Sequence, residues 1–216
     1  MKSSKKAQFI VLSIIAISVL AGIYLYPKAP QQMASHWNSQ GQVNGYLPKF
    51  WGLFLMPMIS LAVFFIFTLI PKIDPLKENI KKFRKYFDSF IVLIIAFMVY
   101  VHALTLFWNF GFRFDMGRML IPALGIVFYY CGVLIEKSKR NWLVGIRTPW
   151  TLSSDLVWEK THKLGGKLFK ISGVIAVFGI FFPNFAFLMF IVPVIFSSLF
   201  AAVYSYFEYK KQQKTA

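Results

Sequence analysis

A single cysteine, Cys131, stands in 216 residues, and only three histidines accompany it. One cysteine cannot close a disulfide within the chain, and no cysteine-based metal site can be built around it. It reads instead as a small buried apolar residue. Carboxylates are scarce too, eight Asp and Glu against 24 Lys and Arg. Charged residues of all kinds make up 15% of the chain, against about 25% in an ordinary soluble domain. What fills the space is apolar: 57% hydrophobic, 19% aromatic.

The apolar residues do not recur at a period of 2 or 3.6. They come in blocks, and blocks of about 17 to 25 residues are the length that crosses a bilayer as helix. Six are visible: Ile10 to Tyr26, Phe50 to Ile70, Ser89 to Trp108, Met119 to Ile135, Gly165 to Phe182 and Phe185 to Phe207. The fifth carries Lys167 and Lys170 near its start, where long side chains can snorkel to the interface. Only Pro183 and Asn184 part it from the sixth, which predicts a tight helical hairpin. The first block follows a basic "MKSSKK" but has no small-x-small cleavage site before Tyr26 and Pro27, so it reads as a retained helix.

A net charge of +16 raises the question of nucleic acid, and the placement of the charges answers it. With the N-terminus in the cytoplasm, 20 of the 24 Lys and Arg fall on the inner side; Lys28, Lys49, Arg113 and Arg118 are left outside. This is the positive-inside pattern. The partner it implies is the anionic cytoplasmic leaflet of a plasma membrane, with no direct nucleic acid. The fold expected is an all-α integral membrane protein with six transmembrane helices and both termini cytoplasmic. One cytoplasmic interfacial helix should precede the fifth span. Three regions follow: 1–71 with two spans and an outer loop, 72–135 with a basic interfacial helix and two spans, and 136–216 with a long inner loop and a two-span hairpin.

The connections carry the remaining information. The first, outside, is rich in Pro, Gly, Asn and Ser and is expected to be irregular, with Trp37, Tyr46 and Trp51 at headgroup level. Its His36 is either a ligand or a hydrogen-bonded surface histidine, and the second fits better because no other histidine or cysteine lies near. The inner stretch 71–88 places Ile80, Phe83, Phe87 and Phe90 at helical spacing among lysines, a basic amphipathic helix expected to face lipid. Arg113, Asp115 and Arg118 make a charged pair at the outer surface. His102 lies inside the third block, where ionisable groups are costly and often functional. A neutral, hydrogen-bonded ring or a proton relay would account for it. No acidic residue lies deep in any block, which counts against a proton-coupled transporter.

The inner loop "NWLVGIRTPWTLSSDLVWEKTH", residues 141–162, is unlike a plain connector. Arg147 falls in a turn, because a residue before proline avoids the helical region, and Pro149 then sets the chain direction. Ser153 or Ser154 can cap a helix with Asp155 in its first turn, ending at or bending through Gly165 and Gly166 into the fifth span. On that helix Glu159 can pair with Lys163, and Trp158 lies one turn from His162. Glu159 and His162 have the E-x-x-H spacing of carboxylate-bridged metal sites, but those need two copies and further carboxylates, so no metal and no cofactor is expected. Thr161 beside His162 is adjacency rather than a catalytic pair, because helix neighbours point apart. A rigid interfacial segment anchored by tryptophans fits every residue type without demanding this order.

The stretch from Asn141 to Phe169 closely resembles the signature of the SdpI family of bacterial membrane proteins. Gly145, Ile146, Arg147, Thr148, Pro149, Trp150, Thr151, Trp158, Thr161, His162 and Gly165 carry the match. Pro27, Pro30, His36, Trp37, Asn38 and Gly41 resemble the small domain of unknown function that often precedes it. The resemblance implies a non-enzymatic immunity and signalling protein of the plasma membrane. Its partners would be a secreted peptide toxin outside and a repressor protein drawn to the membrane inside. The signature residues, with His36, Trp37, Asn38 and Gly41 outside, are the candidate interaction sites. The competing class is a membrane enzyme or small transporter using His36, His102 or His162.

Overall fold

The structure is a computed structural model and describes residues 4–38 and 41–215. Lys2 of the basic start and Ser39 of the first loop lie outside the described residues. Six helices are long and apolar enough to cross a membrane. They are α1 (Lys5–Leu25), α2 (Lys49–Ile73), α4 (Arg84–Asn109), α5 (Met116–Lys137), α7 (Asp155–Phe178) and α8 (Ala186–Thr215). Two short helices, α3 (Lys77–Lys82) and α6 (Pro149–Ser153), sit in connections at one end. That end also holds the start of α1, because the Ser4 backbone N–H donates to Asp88 Oδ2 at the start of α4. It carries nearly all the basic side chains, and we call it the basic end.

The first loop departs from the irregular course expected. It forms an antiparallel hairpin of β1 (Gln32–Trp37) and β2 (Val43–Pro48). Pro30, Asn38, Gly41 and Pro48 bound the strands, whereas Ser35, Asn44 and Gly45 lie within them, where the register shifts on either side of His36. Gly41, at φ +74°, closes the turn with an N–H bond to the Asn38 carbonyl. A side-chain amide ties the hairpin's backbone to the bundle. Asn109 of α4 accepts from the Ala34 N–H at 2.7 Å and donates to the Ala34 carbonyl at 3.0 Å, taking the place of a neighbouring strand. Beneath it Met33 is fully buried against Leu53 and Leu106.

A second departure concerns the basic amphipathic segment. Ile80, Phe83 and Phe87 are buried, not lipid-facing, and pack with Val11, Ile15 and Phe64 in the main core. The chain breaks at Phe83 between α3 and α4, which lets α3 fold under the bundle. The third departure is α7, which runs without a break from Asp155 through Gly165 and Gly166. The separate interfacial helix expected before the fifth span is the first part of that span, preceded by the single-turn α6.

Gly166 and Gly173 of α7 leave room for the backbone of α5. A Cβ on Gly166 would lie 2.7 Å from the Gly132 carbonyl oxygen, and one on Gly173 would lie 2.5 Å from that of Gly125. Gly125 and Gly132 are seven residues apart on α5, as are Gly166 and Gly173 on the antiparallel α7, so two turns of each helix touch backbone to backbone. Close approach over small residues is the main source of attraction between helices in lipid, where tails are as apolar as leucine. Lys170 then reaches across to Glu136 as an ion pair, so this charge meets a partner rather than snorkelling. Replacing Gly166 by valine should separate the helices, costing about 1–3 kcal/mol or more from overpacking. Val174→Leu, at a lipid-exposed site of the same helix, is the control. Thermal unfolding in detergent should fall sharply for the first and stay at the parent value for the second.

Candidate functional site

The loop between α5 and α7 has little regular structure, so its backbone polar groups need other partners. Asn141, fully buried, supplies most of them. Its side-chain oxygen accepts from the N–H of Leu143 at 3.0 Å and of Val144 at 2.6 Å, and its amide donates to the carbonyls of Lys139 and Val144. All four of its bonding positions are used. The preceding connection holds the loop from the other side. Asp74, 2% exposed, accepts from the Trp142 N–H through Oδ2 and the Leu76 N–H through Oδ1, and Asn79 donates to the Arg140 carbonyl.

Gly145 follows at φ +118°, a left-handed conformation that side chains resist. Space forbids a side chain as well, since a Cβ there would lie 2.5 Å from His162 Nε2. His162 is the pivot of the site. Its Nε2 accepts from the Ile146 N–H at 2.9 Å, and its Nδ1 lies 2.8 Å from the Trp158 carbonyl oxygen. An amide can only donate and a carbonyl can only accept, so the ring is neutral with its proton on Nδ1. Its face stacks on Trp158 with centroids 3.8 Å apart, and the Trp158 indole N–H donates to the Ser138 carbonyl. Gly165 leaves room for Ile146, whose Cδ1 would lie 2.3 Å from a Cβ there.

The following residues form a local cap. Thr148 starts α6 in a capping box with Thr151, and Pro149 takes the first helical position, where its missing N–H costs nothing. Thr151 is fully buried and donates to the Ile146 carbonyl. Contacts to α8 close the site: Thr148 Oγ1 to Ser205 Oγ at 2.9 Å, the Trp150 ring edge-on to Tyr206, Ser154 Oγ to Gln212 and Lys160 to Glu208. Of the two serines expected to cap α7, Ser154 does so. Asp155 pairs with Arg140, and Glu159 pairs with Lys139 at 3.9 Å, not with Lys163.

Most of the signature is therefore internal. Trp158, Thr161 and His162 are each at most 1% exposed. Arg147 and Pro149 are the exceptions, and the Arg147 guanidinium lies at the surface, held by one bond to the Trp142 carbonyl, beside a half-exposed Trp142. Below it a crevice of about 290 Å³ opens between the loop and α2, α4 and α5, with Phe67, Phe90, Cys131, Leu143 and Arg147 among its walls. Cys131 is half-buried there and not fully enclosed. Sequence reasoning passed over Asn141, Asp74, Asn79 and Ser205. Asn141 had a signal, an amide just before the tryptophan of an otherwise apolar run; the others are recognisable only once the loop is folded.

The outer candidates lie at the opposite end of the bundle, where the hairpin is held by Asn109 at the end of α4. His36 is exposed and bonds Asn44 through Nδ1, Trp37 stands edge-on to Trp108, and Asn38 and Gly41 shape the hairpin turn. His102 is buried with Nδ1 2.7 Å from Ser18 Oγ of α1. At the same end Asp115 caps α5 and pairs with Arg118, while Arg113 lies over Trp108. The three histidines are thus apart, and among the described residues no three His, Cys, Asp or Glu side chains gather as a metal site.

Six spans, an interlocked loop at the basic end and a hairpin at the other define a multi-pass plasma-membrane protein. Residues 137–205 match the model of the SdpI/YfhL protein family, and residues 13–61 match that of a domain of unknown function, DUF1648. The resemblance legible in the sequence is thus present in both its parts. The chain is 26% identical to the immunity protein SdpI of Bacillus subtilis (strain 168) over 207 residues, 95% of this chain and 97% of that one. Likeness to an immunity protein points away from catalysis. No solved structure matches the chain.

Stranding the amides that Asn141 serves should cost about 1–3 kcal/mol each. Asn141→Ala is therefore expected to lower the thermal midpoint in detergent well below that of Trp142→Ala, whose ring is half in solvent.

Proposed function

We propose that the protein is an SdpI-type immunity and sensing protein, in which the signature loop presents Arg147 and Trp142 to a cytoplasmic partner. A membrane-active peptide toxin would be met at the hairpin end. One observation supports this above the others: the loop consumes nearly all its polar groups internally and leaves an arginine fork and an indole at the surface. A catalytic loop would do the reverse, leaving a nucleophile or base free in a pocket. His162, with both nitrogens engaged, has no lone pair to offer a substrate or a metal. Arg and Trp are the residues that dominate protein interfaces, and a planar guanidinium recognises carboxylates in a way lysine cannot.

The loop also touches both halves of the chain, α3's connection through Asp74 and Asn79 and α8 through Ser205 and Gln212. A toxin that shifts the helices at the hairpin end would move these anchors and with them the exposed pair. Such a shift requires a toxin with different affinities for two arrangements of the helices. The partner drawn to the basic end would be a repressor, as the resemblance implies.

Two measurements test this. In a Cys131→Ala background, a cysteine at Gln42 should react with an impermeant thiol reagent in intact cells, and one at Ser153 only after lysis; the reverse would overturn the orientation. Growth protection against a membrane-active peptide toxin should then separate two groups of variants. Arg147→Lys and Trp142→Ala should insert at parental levels and protect at least about tenfold less, the cost of one interface contact of roughly 1.4 kcal/mol. His162→Ala should instead lower the amount of folded protein. Full protection by both surface variants would reduce the loop to a structural element.

A further inference from the structure

We propose that the groove between the start of α1 and the start of α4 is a binding site for an anionic phospholipid. The groove holds about 670 Å³ and shares no lining residue with the crevice below the signature loop. Its mouth is basic, formed by Lys6, Arg84 and Lys85, and its inner wall is apolar, with Ala7, Ile10 and Val92 among the residues that continue along the two helices. Headgroup-binding side chains thus lie directly above a channel of acyl-chain character, the arrangement a phospholipid requires.

The charges at the mouth are partly committed. Arg84 pairs with Asp88 through Nε at 2.7 Å, and Asp88 also accepts the Ser4 N–H. Arg84 Nη1 is buried yet has no hydrogen-bond partner, although a buried guanidinium N–H without an acceptor is costly. Lys6 and Lys85 are both exposed at the groove mouth. After Asp88 offsets one positive charge, two remain beside a donor that still needs an oxygen. A phosphodiester supplies that oxygen and carries negative charge. A zwitterionic headgroup supplies the oxygen but brings its own cation into a site that is already positive. Basic pockets between spans on the leaflet rich in anionic lipid bind headgroups in this way.

The experiment is native mass spectrometry of the full chain released from detergent, titrated separately with phosphatidylglycerol, phosphatidylcholine and inorganic phosphate. Phosphatidylglycerol should bind at least about fivefold more tightly than phosphatidylcholine, the ratio expected from one phosphate–cation contact near the membrane surface. The double variant Lys6→Gln/Lys85→Gln changes two exposed side chains and should fold as the parent. It should weaken phosphatidylglycerol binding by at least about fivefold, to the level of phosphatidylcholine, and leave phosphatidylcholine unchanged. Arg84→Lys keeps a charge for Asp88 but loses the free fork, and should also reduce the preference. Equal affinity for the two lipids overturns the proposal, as does a preference that survives both variants. If millimolar inorganic phosphate displaces phosphatidylglycerol, the site belongs to a soluble anion and the lipid assignment fails.

Discussion

The hydrogen bond from the Ile146 N–H to His162 Nε2 is the contact on which the basic end depends. It joins a loop without regular structure to the first turns of a membrane-spanning helix, and it works only while the ring is neutral. The second nitrogen fixes the tautomer by donating to the Trp158 carbonyl, and the Trp158 ring beneath prevents the imidazole from tilting. Gly145 and Gly165 are empty where this arrangement needs space, one for the ring and one for Ile146. The order G-I-R-T-P-W-T is thus a packing specification. Each residue but Arg147 either fills, caps or leaves room.

A second constraint acts on buried backbone. Polar groups outside helices and strands need other partners wherever protein covers them. At the basic end the partners are side chains that imitate backbone: Asn141 satisfies four groups within the loop, and Asp74 and Asn79 satisfy three more between the loop and its neighbour. At the opposite end Asn109 does the same for the hairpin strand. Between the two ends α5 and α7 lie against one another at paired glycines.

The spans were legible because a bilayer demands long unbroken apolar runs, and nothing in tertiary packing can disguise them. The capping role of Ser154 and the closeness of Trp158 to His162 followed from helix geometry alone. The hairpin was missed because Ser35, Asn44 and Gly45 interrupt its strands like turn residues, and because Asn109, which fastens it, comes from a span more than 60 residues away. Ile80, Phe83 and Phe87 have the spacing of a lipid-facing helix, and only the break at Phe83 turns them inward. The facing glycines are spaced by sevens in both helices, a pattern that becomes informative once α5 and α7 are known to be antiparallel neighbours. Within the signature, residue identities were clear but their division into buried and presented was not, because burial there comes from α3's connection and α8.

Hydrogen–deuterium exchange of the full chain in lipid nanodiscs measures the central claim, that the signature loop is locked and presents only its surface pair. The amides of Leu143, Val144, Ile146 and Thr151 each have a side-chain acceptor, Asn141, His162 or Thr148. They should exchange as slowly as amides in the adjoining turns of α7, and far faster in His162→Ala. Exchange within seconds in the parent protein, at the rate of an open loop, would contradict the account.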